Sequence, residues 1–304
     1  MAAPVATYAH ETAAGTAPVV EARIGDFIAL LKPRVMTLVV FTGIAGLVLA
    51  PGELHPFLAL VAVFCIAVGA GAAGAINMWY ERDIDAIMQR TRTRPLPMGK
   101  VDPAEALGFG VVLTVLSVGL MGVALNWTAA FLLAFASFFY VFVYTIWLKR
   151  RTPQNIVIGG AAGAFPPMIG WAAQTGDVSL LSVALFMIIF MWTPPHFWAL
   201  ALYRNDDYKR AGVPMLPVVA GERVTRLQML LYTLLMTPFV AAPYLMGACG
   251  VVYAAGAVVL HGIFILAALR VWRDTDHKSA RAMFGYSIVY LFALFALMMA
   301  DKAV

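Results

Sequence analysis

Residues 56–97 decide the fold of this chain, and they read PFLALVAVFCIAVGAGAAGAINMWYERDIDAIMQRTRTRPLP. The first part, through Tyr80, contains no Asp, Glu, Lys or Arg and exceeds the roughly 20 apolar residues that a helix needs to cross a bilayer. The second part is dense in acids and arginines. The stretch therefore predicts a membrane-spanning helix that ends in a mixed-charge loop.

The composition of the whole chain agrees with a membrane protein. Of its 304 residues, 62% are hydrophobic and 12% are charged, whereas soluble domains carry about 25% charged residues. One soluble core could not bury so much apolar surface. The formal charge is +5, and the basic residues lie in short loops between apolar runs. This placement is typical of residues that set the orientation of a membrane protein, so nucleic acid is not an expected partner.

Charge-free runs predict an all-α protein with nine transmembrane helices. Two runs, 106–148 and 227–269, are twice as long as one span requires, so each is predicted to hold two helices joined by a tight turn. The predicted spans are approximately 32–52, 56–79, 105–125, 128–148, 154–174, 179–203, 227–246, 250–270 and 282–300.

The flanks and the basic residues predict the orientation. We expect residues 1–24 to be a disordered cytoplasmic tail without a signal peptide, and residues 25–304 to form the transmembrane domain. With nine spans, all 21 Lys and Arg residues except Lys302 fall on the side of the N-terminus. This bias predicts an inner-membrane protein with its N-terminus and active site cytoplasmic and its C-terminus periplasmic.

The chain also contains a weak internal repeat. The second and sixth spans each lead into an acidic, basic-flanked loop, and the loops end in Arg94-Pro95-Leu96-Pro97 and in Val213-Pro214-Met215-Leu216-Pro217. A helical hairpin follows each loop. The pattern predicts two four-helix units plus a ninth helix, and sites in such proteins often lie at the interface between repeats.

The first loop carries the strongest candidate site. On a continuous helix, Asn77, Glu81 and Asp85 fall within about 80° of each other, whereas Asp83 points roughly the other way. Carboxylates one turn apart repel each other unless a cation lies between them, and oxygen ligands suit Mg²⁺. The neighbouring Arg90 and Arg94 suit phosphate oxygens, so the mixture is typical of a metal–diphosphate site.

Two further loops extend this candidate site. Asp206, Asp207 and Lys209 follow the sixth span, and Lys149 and Arg150 follow the fourth. For both loops, and for the arginines of the first, a solvated loop that only sets topology is the alternative. The predicted Mg²⁺ ligands are Asn77, Glu81, Asp83, Asp85, Asp206 and Asp207.

His196 is an ionisable residue inside a predicted span. On a continuous helix it lies about 20° in rotation from Asp207 and roughly 16 Å deeper. Intramembrane ionisable groups are functional candidates, so His196 is a candidate ligand contact. A hydrogen-bonded packing histidine explains its position equally well.

The loop motifs resemble those of UbiA-type prenyltransferases. The segment Asn77–Pro97 is similar to the motif N-D-x-x-D-x-x-x-D followed by R-x-x-R-P-L-P, with Met78 and Glu81 in place of two of its aspartates. In the second motif, D-x-x-x-D, Tyr203 takes the first position and Asp207 the last. These departures match the heme-modifying branch of the family.

Other segments resemble the same branch, and the likeness extends over roughly residues 25–300. They are Leu31–Val35, Asn155–Gly160 running to Pro166-Pro167, Trp192–Leu200, and Asp207-Tyr208 running to Pro217.

The resemblance implies a reaction, its substrates and a site. It implies transfer of farnesyl from farnesyl diphosphate to a vinyl group of heme b, with Mg²⁺, in a nine-helix bundle around a central cavity open to the cytoplasm. We expect Asn77, Glu81, Asp85 and Asp207 to be essential for metal–diphosphate binding, with Arg90, Arg94, Lys149, Arg150, Lys209 and His196 as substrate contacts. His196 would contact the heme iron or a porphyrin propionate. The expected partners are the two substrates, the lipid bilayer and a heme A synthase.

Three rival functions stay open from the sequence. A transporter would suit spans containing Pro and Gly, but it would place ionisable groups near mid-membrane, whereas these acids cluster at one interface. A heme-handling assembly factor would not need the Asn-Glu-Asp spacing. A quinone or chlorophyll prenyltransferase would be expected to match the family motifs more closely.

Overall fold

The structure, a computed structural model, describes residues 22–274 and 276–302, and within them the regular secondary structure is entirely helical. Most of the predicted N-terminal tail, residues 1–21, lies outside the described residues. The helices are α1 Ile24–Leu30, α2 Pro33–Leu49, α3 Pro56–Tyr80, α4 Arg82–Ile87, α5 Pro103–Ala124, α6 Trp127–Leu148, α7 Asn155–Ala164, α8 Pro166–Thr175, α9 Leu180–Tyr203, α10 Asn205–Arg210, α11 Leu216–Val219, α12 Gly221–Leu235, α13 Thr237–Leu245, α14 Val251–Arg273 and α15 Lys278–Lys302.

The predicted all-α membrane bundle is confirmed. In the described part of the chain, eight helices or consecutive helix pairs are long and apolar enough to cross a bilayer. The pair α1 and α2 passes the same test together, bent by 55° at its break, and gives the ninth span. The short helices α4 and α10 follow α3 and α9, and each precedes a helical hairpin, as the predicted repeat requires.

Two spans besides the first are broken at prolines. The fifth divides into α7 and α8 at Phe165, before Pro166 and Pro167, and the seventh divides into α12 and α13 at Met236. Proline has no backbone N–H and its ring clashes with the preceding turn, so a continuous helix is unfavourable at these points. Charge-free runs do not reveal such breaks.

The seventh span begins earlier than the sequence predicted. Helix α12 starts at Gly221 rather than near residue 227. The charge-free run begins after Arg226, but in the structure Arg226 lies within the helix and its side chain is buried. The Arg226 guanidinium donates to the Val271 carbonyl and pairs with Glu222. A charged residue that pairs within the bundle can continue a helix that a charge-free run would end.

Six helices form a closed ring, and one helix fills part of its interior. In order around the ring, α2, α3, α6, α7, α9 and α15 each contact the next, while α8 contacts α2, α3, α6 and α9. We call the end of the bundle that carries the loops after α3, α6, α9 and α14 the basic face, and the other end the opposite face. Since α7 starts at the basic face, α8 fills the ring toward the opposite face.

Helices α2 and α8 approach each other through glycines. A Cβ at Gly170 would lie 2.0 Å from the Gly43 carbonyl oxygen, and a Cβ at Gly46 would lie 1.9 Å from that of Pro167. Small residues permit such close backbone contact in membrane bundles. The opposite face is therefore closely packed.

Two charged residues at the end of α15 reinforce the opposite face. The Lys302 ammonium donates to the carbonyls of Val48 and Ala50, each at 2.8 Å. The Asp301 carboxylate accepts from the backbone N–H groups of Gly250 and Tyr253, at the start of α14. Lys302, the one basic residue predicted to lie away from the others, thus ties α15 to the end of α2.

Candidate functional site at the basic face

Three polar side chains lie in one buried row where α3 meets α4. The helix breaks at Glu81, yet the Glu81 N–H donates to the Asn77 carbonyl at 3.0 Å and the Asp85 N–H to the Glu81 carbonyl at 2.8 Å. This spacing keeps helical register through the break. Asn77, Glu81 and Asp85 are only 2%, 1% and 2% exposed, whereas the Asp83 side chain is 61% exposed and points away, as the helical periodicity predicts.

Each member of this row contacts a basic residue from elsewhere in the chain. The Lys32 ammonium donates to Asn77 Oδ1 at 2.6 Å, and the Lys149 ammonium to Glu81 Oε2 at 2.5 Å. The Arg94 guanidinium contacts Asp85 Oδ2 at 2.7 Å. Buried carboxylates require such partners, because an unpaired buried charge is unfavourable. Lys149 and Arg94, both predicted to bind substrate, thus lie at the row.

Sequence reasoning missed two contacts of Asn77, namely Lys32 and Thr145. The Asn77 amide donates to Thr145 Oγ1 at 3.0 Å, and Thr145 Oγ1 donates in turn to the Tyr140 carbonyl at 2.8 Å. Residues 139–148 of α6 are π-helical, a geometry frequent at functional sites. Lys32 and Thr145 lie 45 and 68 residues from Asn77, so local sequence patterns cannot identify them.

The ring of Tyr144 lies beside the row. Gly159 on α7 accommodates it, since a Cβ there would lie 2.2 Å from the ring. The Lys149 ammonium lies 5.7 Å from the ring centroid, and the Tyr144 side chain packs against an apolar cluster that includes Ile84 of the first loop and Tyr208 of the second. Tyr144 therefore lies between the first acidic loop and the second.

The second acidic loop contributes one buried acid. Asp207, in the short helix α10, is 4% exposed, and one of its carboxylate oxygens pairs with Arg210. Asp206 and Lys209 are exposed. The loop thus presents a single buried carboxylate, held by a basic residue of its own helix.

One apolar cluster holds the two acidic loops at the same end of the bundle. The first loop contributes two side chains, the second loop contributes three, and α7 and α9 supply one each. Its buried members are Ile84, Met88, Ile156, Ala201, Tyr208, Val213 and Met215. The structure therefore brings together the loops that the repeat predicted to be halves of one site.

Asp83 and Arg150 form a separate pair on the outside of α4. The guanidinium binds both carboxylate oxygens, at 2.9 and 2.7 Å, and lies 5.1 Å from the ring centroid of Tyr80. The bidentate hydrogen bonds lower the pKa of Asp83 and raise the pKa of Arg150. Arg90 is exposed, so the structure does not bring Asp83, Arg150 or Arg90 into the buried row.

His196 lies deeper in α9, between two aromatic rings. Its centroid is 4.2 Å from that of Trp192 and 4.7 Å from that of Phe284. Nδ1 is hydrogen-bonded to Ser287 Oγ at 2.6 Å, while Nε2 has no hydrogen-bond partner among the described residues. The residue is thus a packed histidine that keeps one ring nitrogen available for a ligand.

The acids of the site suit a divalent cation with hard oxygen ligands. Buried oxygens without a hydrogen-bond partner include Glu81 Oε1 and Asp207 Oδ2, one in each acidic loop. In the described part of the chain, no three His, Cys, Asp or Glu side chains form a metal-binding group by themselves. The free oxygens, together with phosphate oxygens of a substrate, are the ligand type that Mg²⁺ commonly uses.

Comparisons with known proteins agree with this geometry. The UbiA prenyltransferase family profile matches residues 39–296. A protoheme IX farnesyltransferase of Rhizorhabdus wittichii is 60% identical over 282 residues, which is 91% of this chain and 93% of that protein.

Two solved structures share the fold. One, of digeranylgeranylglyceryl phosphate synthase, has a TM-score of 0.77 at 18% identity and covers 92% of this chain and 98% of that one. The other, a UbiA homologue from Archaeoglobus fulgidus bound to GPP and Mg²⁺, has a TM-score of 0.64 at 17% identity. The match covers 92% of this chain and 100% of that one. At these identities the two structures establish the fold alone.

Proposed function

This chain belongs to the UbiA prenyltransferase family, and we propose that it transfers the farnesyl group of farnesyl diphosphate to a vinyl group of heme b, with addition of water, to make heme O. The observation that carries the proposal is the buried Asn77–Glu81–Asp85 row at the basic face. It combines acids for a metal with bases for a diphosphate, and the second acidic loop lies on the same apolar cluster.

The residues of the row would hold the leaving group. Glu81 and Asp207 each offer a free buried oxygen to Mg²⁺, and Asn77 and Asp85 complete the proposed ligand set. Bound Mg²⁺ would neutralise the diphosphate charge and so favour its departure. Lys149 and Arg94, already positioned by Glu81 and Asp85, supply donors for phosphate oxygens. Asp206 stays a predicted metal ligand, and Arg90, Arg150 and Lys209 stay predicted substrate contacts. We propose that the exposed Asp83 lies outside the metal site.

The reaction balances with farnesyl diphosphate, heme b and water alone. The allylic C–O bond breaks and diphosphate leaves with the electron pair. The vinyl π electrons of heme form the new C–C bond to the allylic carbon. The resulting porphyrin-conjugated cation takes up water and loses a proton, which leaves a hydroxyl group. The protein positions two apolar substrates and keeps other water from the allylic cation.

His196 is the proposed contact with the heme. Its free Nε2 suits either the iron or a propionate, and its ring is held between Trp192 and Phe284. Both substrates partition into membranes, which fits a multi-span enzyme. We place the basic face in the cytoplasm and the opposite face in the periplasm, from the distribution of Lys and Arg, with the inner membrane as the site of action. A heme A synthase is the proposed consumer of the product.

A product assay tests the proposal. Membranes containing the protein are incubated with heme b, farnesyl diphosphate and Mg²⁺. The extracted hemes are then separated by liquid chromatography and identified by mass spectrometry. We expect a heme in which one vinyl group has become a hydroxyethylfarnesyl group, and loss of this product when a chelator is added. If folded protein makes no new heme, the acceptor is wrong, and aromatic and quinone precursors are the next acceptors to test.

A further inference from the structure

Lys32 has an unusual backbone conformation at the break between α1 and α2. Its φ and ψ are both 54°, and it is the one non-glycine residue with a positive φ in ranges 22–274 and 276–302. The left-handed region is uncommon for side chains other than Asn, Asp and His, and it carries strain. Pro33 disfavours the right-handed alternative for Lys32. The 55° bend between α1 and α2 lies at this residue.

Helix α3 provides a track of small residues for the Lys32 side chain. Gly71, Gly74 and Asn77 are spaced three residues apart and share one face. A Cβ at Gly71 would lie 3.1 Å from Leu31, and a Cβ at Gly74 would lie 3.5 Å from the Lys32 stem. The stem therefore passes over glycine, and the ammonium ends at Asn77 Oδ1, 2.6 Å away.

The charge of Lys32 lacks an anionic partner. Lys149, Arg94, Arg150 and Arg210 each pair with a carboxylate, whereas within the described residues no carboxylate oxygen lies within 4.0 Å of the Lys32 ammonium. Its close partner is the neutral amide of Asn77. Lys32, Arg94 and Lys149 reach the Asn77–Glu81–Asp85 row, which holds only two acids, so the site favours an additional anion.

We propose that Lys32 binds the substrate diphosphate directly and releases Asn77 for the metal when it does so. The ammonium exchanges Asn77 Oδ1 for a phosphate oxygen, a charge-assisted hydrogen bond that the neutral amide cannot match. The Asn77 amide nitrogen stays on Thr145 Oγ1, so the freed oxygen keeps its direction. This inference rests on the proposed function but not on which acceptor is prenylated.

Binding of Mg²⁺–pyrophosphate to the purified full-length protein tests this proposal. Titration calorimetry in detergent would compare wild type with Lys32→Met, Lys32→Arg and Lys32→Asn. We expect Lys32→Met to weaken binding about 10- to 100-fold, the cost of losing a hydrogen bond to a charged group. Lys32→Arg should restore most of the affinity. Asparagine tolerates the left-handed backbone, so Lys32→Asn tests the proposal even if Lys32→Met fails to fold. Its affinity for Mg²⁺–pyrophosphate should be as low as that expected for Lys32→Met.

Arg34→Met is the matched control, because Arg34 is exposed two residues away and its removal changes the net charge equally. It should leave affinity within about twofold, given the small worth of exposed charges. Equal affinity of Lys32→Met and wild type for Mg²⁺–pyrophosphate would overturn the inference. So would a Lys32→Met variant that melts at a lower temperature without ligand but binds as tightly as wild type. Wild type that does not bind Mg²⁺–pyrophosphate would instead overturn the proposed function.

Steady-state kinetics separate the two anionic substrates. We expect Lys32→Met to raise KM for farnesyl diphosphate about tenfold or more and to leave KM for heme b unchanged. A rise confined to the heme KM would assign Lys32 to the heme carboxylates and overturn the diphosphate assignment.

Discussion

The two ends of the bundle differ in what their close contacts are made of. At the opposite face, contacts are between backbones: glycines of α2 and α8 meet carbonyl groups, and Lys302 and Asp301 cap helix ends. At the basic face, contacts are between charged side chains from distant segments, and the backbone is broken at Lys32 and Glu81. The comparison assigns structural stability to the opposite face and the proposed chemistry to the basic face.

The largest effect is expected from Glu81→Gln at the basic face. The amide keeps the shape and a hydrogen bond to Lys149 but loses the charge and the free acceptor oxygen. We expect activity to fall about 100- to 1000-fold, the usual effect of removing one group that stabilises transition-state charge. Heme product formation at several Mg²⁺ concentrations measures it. Full activity under limiting Mg²⁺ would remove Glu81 from the metal site.

Gly170→Ala probes the opposite face. The added Cβ would lie 2.0 Å from the Gly43 carbonyl oxygen, so α2 and α8 must separate. We expect a loss of about 1–3 kcal/mol of stability, typical of overpacking, seen as a lower melting temperature. Gly163→Ala is the matched control, since nothing lies within 4 Å of its Cβ. If the two variants melted alike, the close packing of this face would not be the source of its stability.

The activity of Asp207→Asn, set beside that of Glu81→Gln, compares the two acidic loops of the basic face. Asp207 is buried, but its partner Arg210 comes from the same short helix. The first loop is held instead by Lys149, which follows α6, and by Lys32 at the α1–α2 break. We expect activity to fall about tenfold, less than for Glu81→Gln, because one ligand is lost while the first loop stays assembled. Dependence of the rate on Mg²⁺ should shift to higher concentration. An effect larger than that of Glu81→Gln would reverse this ranking.

Asp83→Asn should have the smallest effect. The residue lies two positions from Glu81, yet its side chain is exposed and pairs with Arg150 on the outside of α4. Exposed ion pairs contribute little, so we expect activity within about twofold of wild type. Assayed beside Glu81→Gln, it checks that position rather than charge matters. A loss comparable to that of Glu81→Gln would bring Asp83 into the metal site.

The sequence predicts much of this arrangement because some features are local. Charge-free runs locate the spans, and helical periodicity places Asn77, Glu81 and Asp85 on one face with Asp83 away from it. The partners of these residues could not be predicted, since Lys32 and Thr145 are distant in sequence and meet Asn77 only through packing. The π-helical turn of α6 and the backbone of Lys32 likewise depend on tertiary contacts.

The most direct test of the central claim is a structure of the protein with Mn²⁺ in place of Mg²⁺ and the non-hydrolysable analogue farnesyl thiodiphosphate, since anomalous scattering locates the metal. We predict manganese bound to Glu81 Oε1 and Asp207 Oδ2, with diphosphate oxygens beside the Lys149 and Arg94 side chains. Manganese and diphosphate bound elsewhere, with the Lys149–Glu81 and Arg94–Asp85 pairs unchanged, would contradict it.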